Sequence, residues 1–142
     1  MKASESRYRK CMYFSANALA RKIEKLAGES WGVVNLSPSH AYLLMIVIEE
    51  PGIQPGMLAN ELQLKPSTIT RLIEKLEEKK LVVRIAEGKA TNVYATPTGK
   101  ELLPKLKECL AKFYESYKNI LGTKESAELV TGMNKLSDEL EG

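Results

Sequence analysis

The sequence predicts a mainly α-helical fold carrying one small β-hairpin, and three observations predict it. Apolar residues recur at spacings of three and four through most of the chain, as amphipathic helices require. The stretch LVVRIAEGKATNVYAT instead gathers β-branched and aromatic residues around Glu87-Gly88, which reads as two strands over 81–86 and 89–95. Ser37-Pro38 and Thr96-Pro97 each join a capping hydroxyl to a proline already set for a first helical turn.

Size and composition bound the rest. At about 100–200 residues per domain, 142 residues make one domain over 1–142. With 44% hydrophobic and 27% charged residues, the chain can bury a real core and is not a disordered segment. The supply of one His and a single Asp (Asp138) excludes a metal or catalytic site built on several of either, so no metal and no cofactor is expected. The longest apolar run, Ala41 to Ile48, is far short of the roughly 20 residues of a membrane helix. The opening MKASESRYRK is polar and basic, unlike a secretory signal. Cys11 and Cys109 form no CxxC and read as reduced thiols of a cytoplasmic protein.

In order, Tyr8, Cys11, Met12, Ala16, Leu19, Ile23 and Leu26 make one stripe of a helix over 4–27, with Gly28 as its stop. A loop containing Trp31 follows over 29–36. Ser37-Pro38 opens a buried helix through YLLMIVI, ended by Pro51-Gly52. A short helix runs over 55–62, with Ile53 and Leu58 placed as a hydrophobic staple. Gln63-Leu64-Lys65 then turns the chain into a second helix over 66–79. There Ile69, Leu72, Ile73 and Leu76 form the buried stripe, opposite Ser67, Thr70, Arg71, Glu74 and Glu78. After the hairpin, a long helix from Thr96-Pro97 carries Leu102, Leu106, Leu110, Phe113, Tyr117 and Ile120 on one face, bent at Pro104. Gly122 stops it, and Thr123 caps a last helix whose Leu129, Met133, Leu136 and Leu140 form a coiled-coil-like seam.

Helix, tight turn, helix and hairpin make a winged helix-turn-helix, with Ala59 where the two helices cross closely. The run LSPSHAYLLMIVIEEPGIQPGMLANELQLKPSTITRLIEKLEEKKLVVR, then the hairpin and ATPTGKELL, resembles the MarR family of transcription regulators. LANELQLKPSTITRLIEKLEEKKLVVR and the TPTG step are the most specific pieces. The resemblance implies a winged helix-turn-helix lobe over about 36–97, with N- and C-terminal dimerisation helices over about 4–27 and 97–140. It also implies a homodimer on double-stranded DNA, most often a repressor at a palindromic operator, released by a small aromatic ligand or an oxidative signal. Independently, both chain ends carry apolar stripes that one small lobe cannot bury alone.

Carried over position by position, the helix over 66–79 enters the major groove. Pro66 opens it, Ser67, Thr68, Thr70 and Arg71 are the base-reading candidates, and Arg71 suits guanine or a phosphate. Lys65, Lys75 and Gln54 are candidates for the phosphate backbone, Arg84 for the wing base, and Lys89 for the wing tip. The wing departs from the family, whose Asp-Arg-Arg is replaced here by the shorter Ala86-Glu87-Gly88-Lys89. Gln63 and Lys80 stand where glycine is usual, and both positions call for positive φ.

Residues 65–100 carry a net charge of +4 and residues 101–142 a net −2, a distribution that attracts a polyanion to the lobe. Residues 1–37 carry another +4 with no assigned role. Tyr13, Trp31, His40 and Tyr42 are the candidate effector pocket; for each, a plain structural role stands beside it. Cys11 is either a redox sensor or a small hydrophobe in a dimer core. An enzyme is disfavoured, since no nucleophile motif or phosphate-cradling glycine loop is present. The alternative function is a winged-helix protein-interaction module without specific DNA binding.

Overall fold

The structure, a computed structural model, describes residues 1–141. It is helical apart from one antiparallel hairpin. A short 3-10 turn, Ala3–Glu5, precedes α1, Met12–Trp31. Helix α1 therefore starts later than the expected 4–27 and continues through Gly28 rather than stopping there. Trp31 explains the extension, because its side chain is fully buried. Burying a large apolar side chain contributes about 1.5–3 kcal/mol, more than the roughly 1 kcal/mol a helical glycine costs. The expected loop over 29–36 shrinks to a 3-10 turn, Gly32–Val34, closed by Asn35 at φ 56°.

Helix α2, Pro38–Glu49, begins as predicted: Ser37 Oγ accepts the His40 backbone N–H at 3.3 Å. Its Leu43, Leu44 and Val47 are fully buried. Helices α3, Pro55–Leu62, and α4, Pro66–Glu78, follow. The turn between them takes Gln63 to φ 53° and lets Leu64 N–H reach Ala59 O at 3.1 Å. Ala59 is buried at the crossing, Ile53 and Leu58 are both in the core, and the α4 stripe Ile69, Leu72, Ile73 and Leu76 is buried throughout.

Strands β1, Val82–Glu87, and β2, Ala90–Ala95, pair with Val82 opposite Ala95 and Glu87 opposite Ala90. The turn is Gly88-Lys89, one residue later than expected. Glu87 stays in the ladder and Gly88, at φ 65°, takes the loop position where a primed hairpin turn favours glycine. A bridge from Ile53 to Val93 pins the hairpin to the α2–α3 loop.

The expected single bent helix is two: α5, Pro97–Glu101, and α6, Leu103–Leu121. The break falls at Leu102, which puts Pro104 in the first turn of α6, where its missing N–H is no loss. Helix α7 is Thr123–Glu141. Gly122, at φ 97°, ends α6 and accepts the Ser126 N–H at 3.0 Å, so it occupies the capping position expected of Thr123.

The core gathers the C-terminal end of α1 with α2, α3, α4, the hairpin and α6. The two chain ends stay outside it. Met12, Tyr13, Leu19 and Ile23 of α1 are exposed, as are Leu129, Val130, Met133, Leu136 and Leu140 of α7. Among the described residues no single helix is long and apolar enough to cross a membrane.

Candidate nucleic-acid interface

Helix α4 packs against α2, α3 and β1 through its apolar stripe. That leaves its first turns facing outward: Pro66, Ser67, Thr70 and Arg71 are exposed and Thr68 is half-buried. Thr70 Oγ1 donates to Pro66 O at 3.0 Å, which fixes the hydroxyl and leaves its lone pairs outward. Lys65 occupies the N-cap in extended conformation, with no side-chain cap bond. Lys75 stands 3.6 Å from Glu78, both exposed, a pair of little energetic weight. Gln54 caps α3 and is also exposed.

Two contacts absent from the sequence-based expectations hold α4 in place. Arg84 Nη2 lies 2.8 Å from Glu77 Oε1, tying β1 to the last turns of α4. Lys79 Nζ donates to Asn35 O at 3.0 Å, tying α4 to the loop before α2. The carboxylate that faces Arg84 thus comes from the helix, not from the wing. Neither pair has a signature in local sequence, since the second spans 44 positions.

The wing carries its own network. The Glu87 carboxylate accepts from Tyr94 Oη and, at 3.0 Å, from Asn92 Nδ2. The Tyr94 and Asn92 bonds hold Glu87 below the ordinary carboxylate range, and the same carboxylate pushes the Tyr94 phenol up. Tyr94 Oη also closes on Gly52, where an added Cβ would stand 3.0 Å away and φ is 86°. Lys89 is exposed at the tip.

The candidate effector residues separate. Trp31 and Tyr42 meet edge to face at 5.6 Å between ring centroids. Burial first, then Tyr114 and Tyr117 of α6, push the Tyr42 phenol up; Tyr117 belongs to the apolar stripe expected of the long helix, and Tyr114 was not singled out from sequence. Trp31 Nε1 is buried with no hydrogen-bond partner among the described residues. Tyr13 is on the same helix as Trp31 but about 27 Å along it by the helical rise, and it is 80% exposed. His40, two residues before Tyr42 and so on a different side of α2, has Nδ1 on Ser37 Oγ. Burial, Lys79 and Lys75 hold its imidazole below the usual value. One chain thus joins Trp31 to Tyr42 and leaves Tyr13 and His40 elsewhere.

Cys11 is exposed at the start of α1, and Cys109 is buried on α6. Burial first, then Glu108, pushes the Cys109 thiol up. Among the described residues no three His, Cys, Asp or Glu side chains gather as a metal set.

Residues 34–90 match the model of the MarR family. The MarR match begins before α2 and ends at Ala90, so every candidate contact from Gln54 to Lys89 falls within it. The full chain shares its fold with solved transcription regulators. CouR, solved bound to a 23-mer DNA duplex, superposes with a TM-score of 0.82 at 16% identity over 96% of this chain and 98% of that one. A probable transcriptional regulator from Pseudomonas aeruginosa gives 0.81 at 20% identity, over 92% and 99%. The PcaV regulator from Streptomyces coelicolor, in complex with its natural ligand, gives 0.78 at 19%, over 97% and 98%. No curated protein matches the chain in sequence. In the wing of this chain the Glu87 carboxylate, at the end of β1, is engaged by Asn92 and Tyr94 of the opposite strand.

Proposed function

We propose that this chain is a cytoplasmic DNA-binding transcription regulator, a homodimeric repressor at a palindromic operator, and not an enzyme. Residues 1–142 act as one domain whose winged lobe reads DNA and whose end helices join two copies. One observation carries the reading. Helix α4 is fixed by four buried apolar residues while its first turns offer Ser67, Thr70 and Arg71 to the outside. A helix so held presents its N-terminal residues to base edges in a major groove. Ser67, Thr68, Thr70 and Arg71 read bases, Pro66 sets the first turn, and Lys65, Lys75 and Gln54 hold phosphates. Arg84, braced by Glu77, and Lys89 extend the contact along the wing. The DNA-bound CouR and the Staphylococcus aureus MepR–DNA complex, structures of the same fold, support the reading.

Selection of bound sequences from random duplex DNA tests it. The expected result is a palindrome with half-sites about one helical turn apart. A featureless pool, with retention on DNA that ignores salt, would instead favour a protein-interaction module. Arg71→Ala is expected to weaken operator binding by about 1–3 kcal/mol and relax one base position. An unchanged titration curve rejects that role.

Release by a small aromatic ligand at the Trp31–Tyr42 junction is supported by the unpartnered Trp31 Nε1, a buried donor that an acceptor group of a ligand would satisfy. The exposure of Cys11 favours oxidation as a second route. Peroxide that releases DNA from wild type and equally from Cys11→Ser removes that route.

A further inference from the structure

The hairpin carries three charged side chains, Arg84, Glu87 and Lys89. Arg84 is held by Glu77 of α4. Lys89 stands exposed in the turn, and Glu87 lies just across Gly88 from it. Among the described residues the ion pairs are Lys75–Glu78 and Arg84–Glu77. The acid and the base at the wing tip are therefore not paired, although only one residue separates them. Two opposite charges so close on an exposed turn meet unless something keeps them apart.

The register of the hairpin shows what does. Val82 and Val93 face the core, whereas Val83 and Ile85 are exposed. Val83, Ile85 and Glu87 thus share the outer face with their cross-strand partners Tyr94, Asn92 and Ala90. Glu87 sits opposite Ala90, four residues along β2 from Tyr94, about 13 Å at the rise of a strand. Neither side chain spans that distance alone. The bond from Tyr94 Oη therefore draws the Glu87 carboxylate back along the face, away from the turn. Asn92 Nδ2, midway between them, adds a second bond at 3.0 Å. Tyr94 is itself anchored. Its neighbour Val93 bridges to Ile53 and accepts the Gly52 N–H at 2.9 Å, and the Tyr94 ring lies against Gly52. Both bonds favour the ionised carboxylate, so its charge is withdrawn from the tip and not neutralised.

We propose that Tyr94 and Asn92 are positioning residues for the DNA contact of the wing: by holding the Glu87 carboxylate back, they keep it off Lys89 and leave Lys89 as the free cation of the tip. Without them the carboxylate pairs with its own lysine and the tip presents no net charge. A lysine already neutralised within the wing releases no counterion when it meets a phosphate, so it adds little affinity and little salt dependence. The inference rests on the DNA reading proposed above and adds the groups that set the charge of the wing.

Double-mutant cycles on a short duplex of random sequence test it, because phosphate contacts do not depend on the sequence bound. Tyr94→Phe removes the hydroxyl and keeps the ring. It is expected to weaken binding about three- to tenfold per engaged lobe and to lower the salt slope by about one, with helical circular dichroism unchanged. In the Glu87→Gln background the same change should have no effect, because no carboxylate is left to release. In the Lys89→Gln background it should lower the slope no further, because the cation it disables is already gone. Tyr94→Phe that binds as wild type does overturns the proposal. An equal loss in the Glu87→Gln background overturns it in favour of a wing that has merely lost stiffness. An equal loss of slope in the Lys89→Gln background overturns it by placing the effect elsewhere on the lobe. A wild-type chain whose retention on the duplex ignores salt removes the DNA reading itself, and the proposal with it.

Discussion

A single methyl group at Gly99 has a large consequence. The residue is buried in α5, and a Cβ there would run into the Leu81 carbonyl oxygen. That oxygen already accepts the Thr96 N–H at 3.0 Å, while Thr96 Oγ1 donates to Lys80 O at 2.7 Å and accepts the Gly99 N–H at 3.0 Å. The TPTG step therefore clamps α5 to the joint between α4 and β1. Gly99→Ala is expected to lower unfolding stability by about 1–3 kcal/mol, read from a denaturant midpoint; an unchanged midpoint would show that the joint yields freely. Glu87 acts through charge instead. Its folded pKa lies below the ordinary value, so the bonds from Tyr94 and Asn92 are present at neutral pH and are lost as pH falls through that depressed value. The same bond raises the Tyr94 phenol. In Glu87→Gln the Tyr94 absorbance titration should move down toward about 10. A curve superimposed on wild type would mean that the two groups are uncoupled in solution.

Elements formed by local rules were legible in the sequence, and elements decided by distant contacts were not. Pro55, Pro66, Ser37 and Thr96 announce their helices because caps and prolines act within one turn, and each starts a helix here. Gln63 and Lys80 were expected at positive φ and stand at 53° and 61°. The extension of α1 to Trp31 was not legible, because it depends on the core that receives the indole. Nor were the Arg84–Glu77 and Lys79–Asn35 ties, whose partners meet only after α4 has docked. The candidate DNA contacts were named from one contiguous segment, whereas the four candidate effector residues come from α1 and α2, and only Trp31 and Tyr42 meet. Lys80 supplies a test at this scale. Its side chain is exposed and only its backbone is strained. Relief of about 1–2 kcal/mol set against the roughly 0.5–1 kcal/mol entropic cost of glycine leaves Lys80→Gly slightly more stable. A lower melting temperature would show that the left-handed turn costs this lysine little.

At the scale of the whole molecule, the fold is one core with two unfinished ends. Among the described residues of α7 only Ser126 is buried, and the apolar side chains of the helix line an exposed face. A patch of that kind on a stable protein is an interaction surface, and in the proposed assembly the second copy covers it. The melting temperature is then expected to rise with protein concentration, because association draws on the folded state alone. Leu136→Asp places a charge in the middle of the face. None of the core of the winged lobe lies on α7, so the variant should keep its helical circular dichroism while losing both the dimer and the concentration dependence. The consequence for DNA follows from the arithmetic of two linked sites. A dimer binds its second half-site at an effective concentration set by the rigid linkage, worth about 10²–10⁴ in overall affinity. Leu136→Asp should therefore lose that factor on a full palindrome and bind an isolated half-site as wild type does. Equal weakening on both DNAs would place the damage in the lobe, and no weakening on either would show that a single lobe is the working unit.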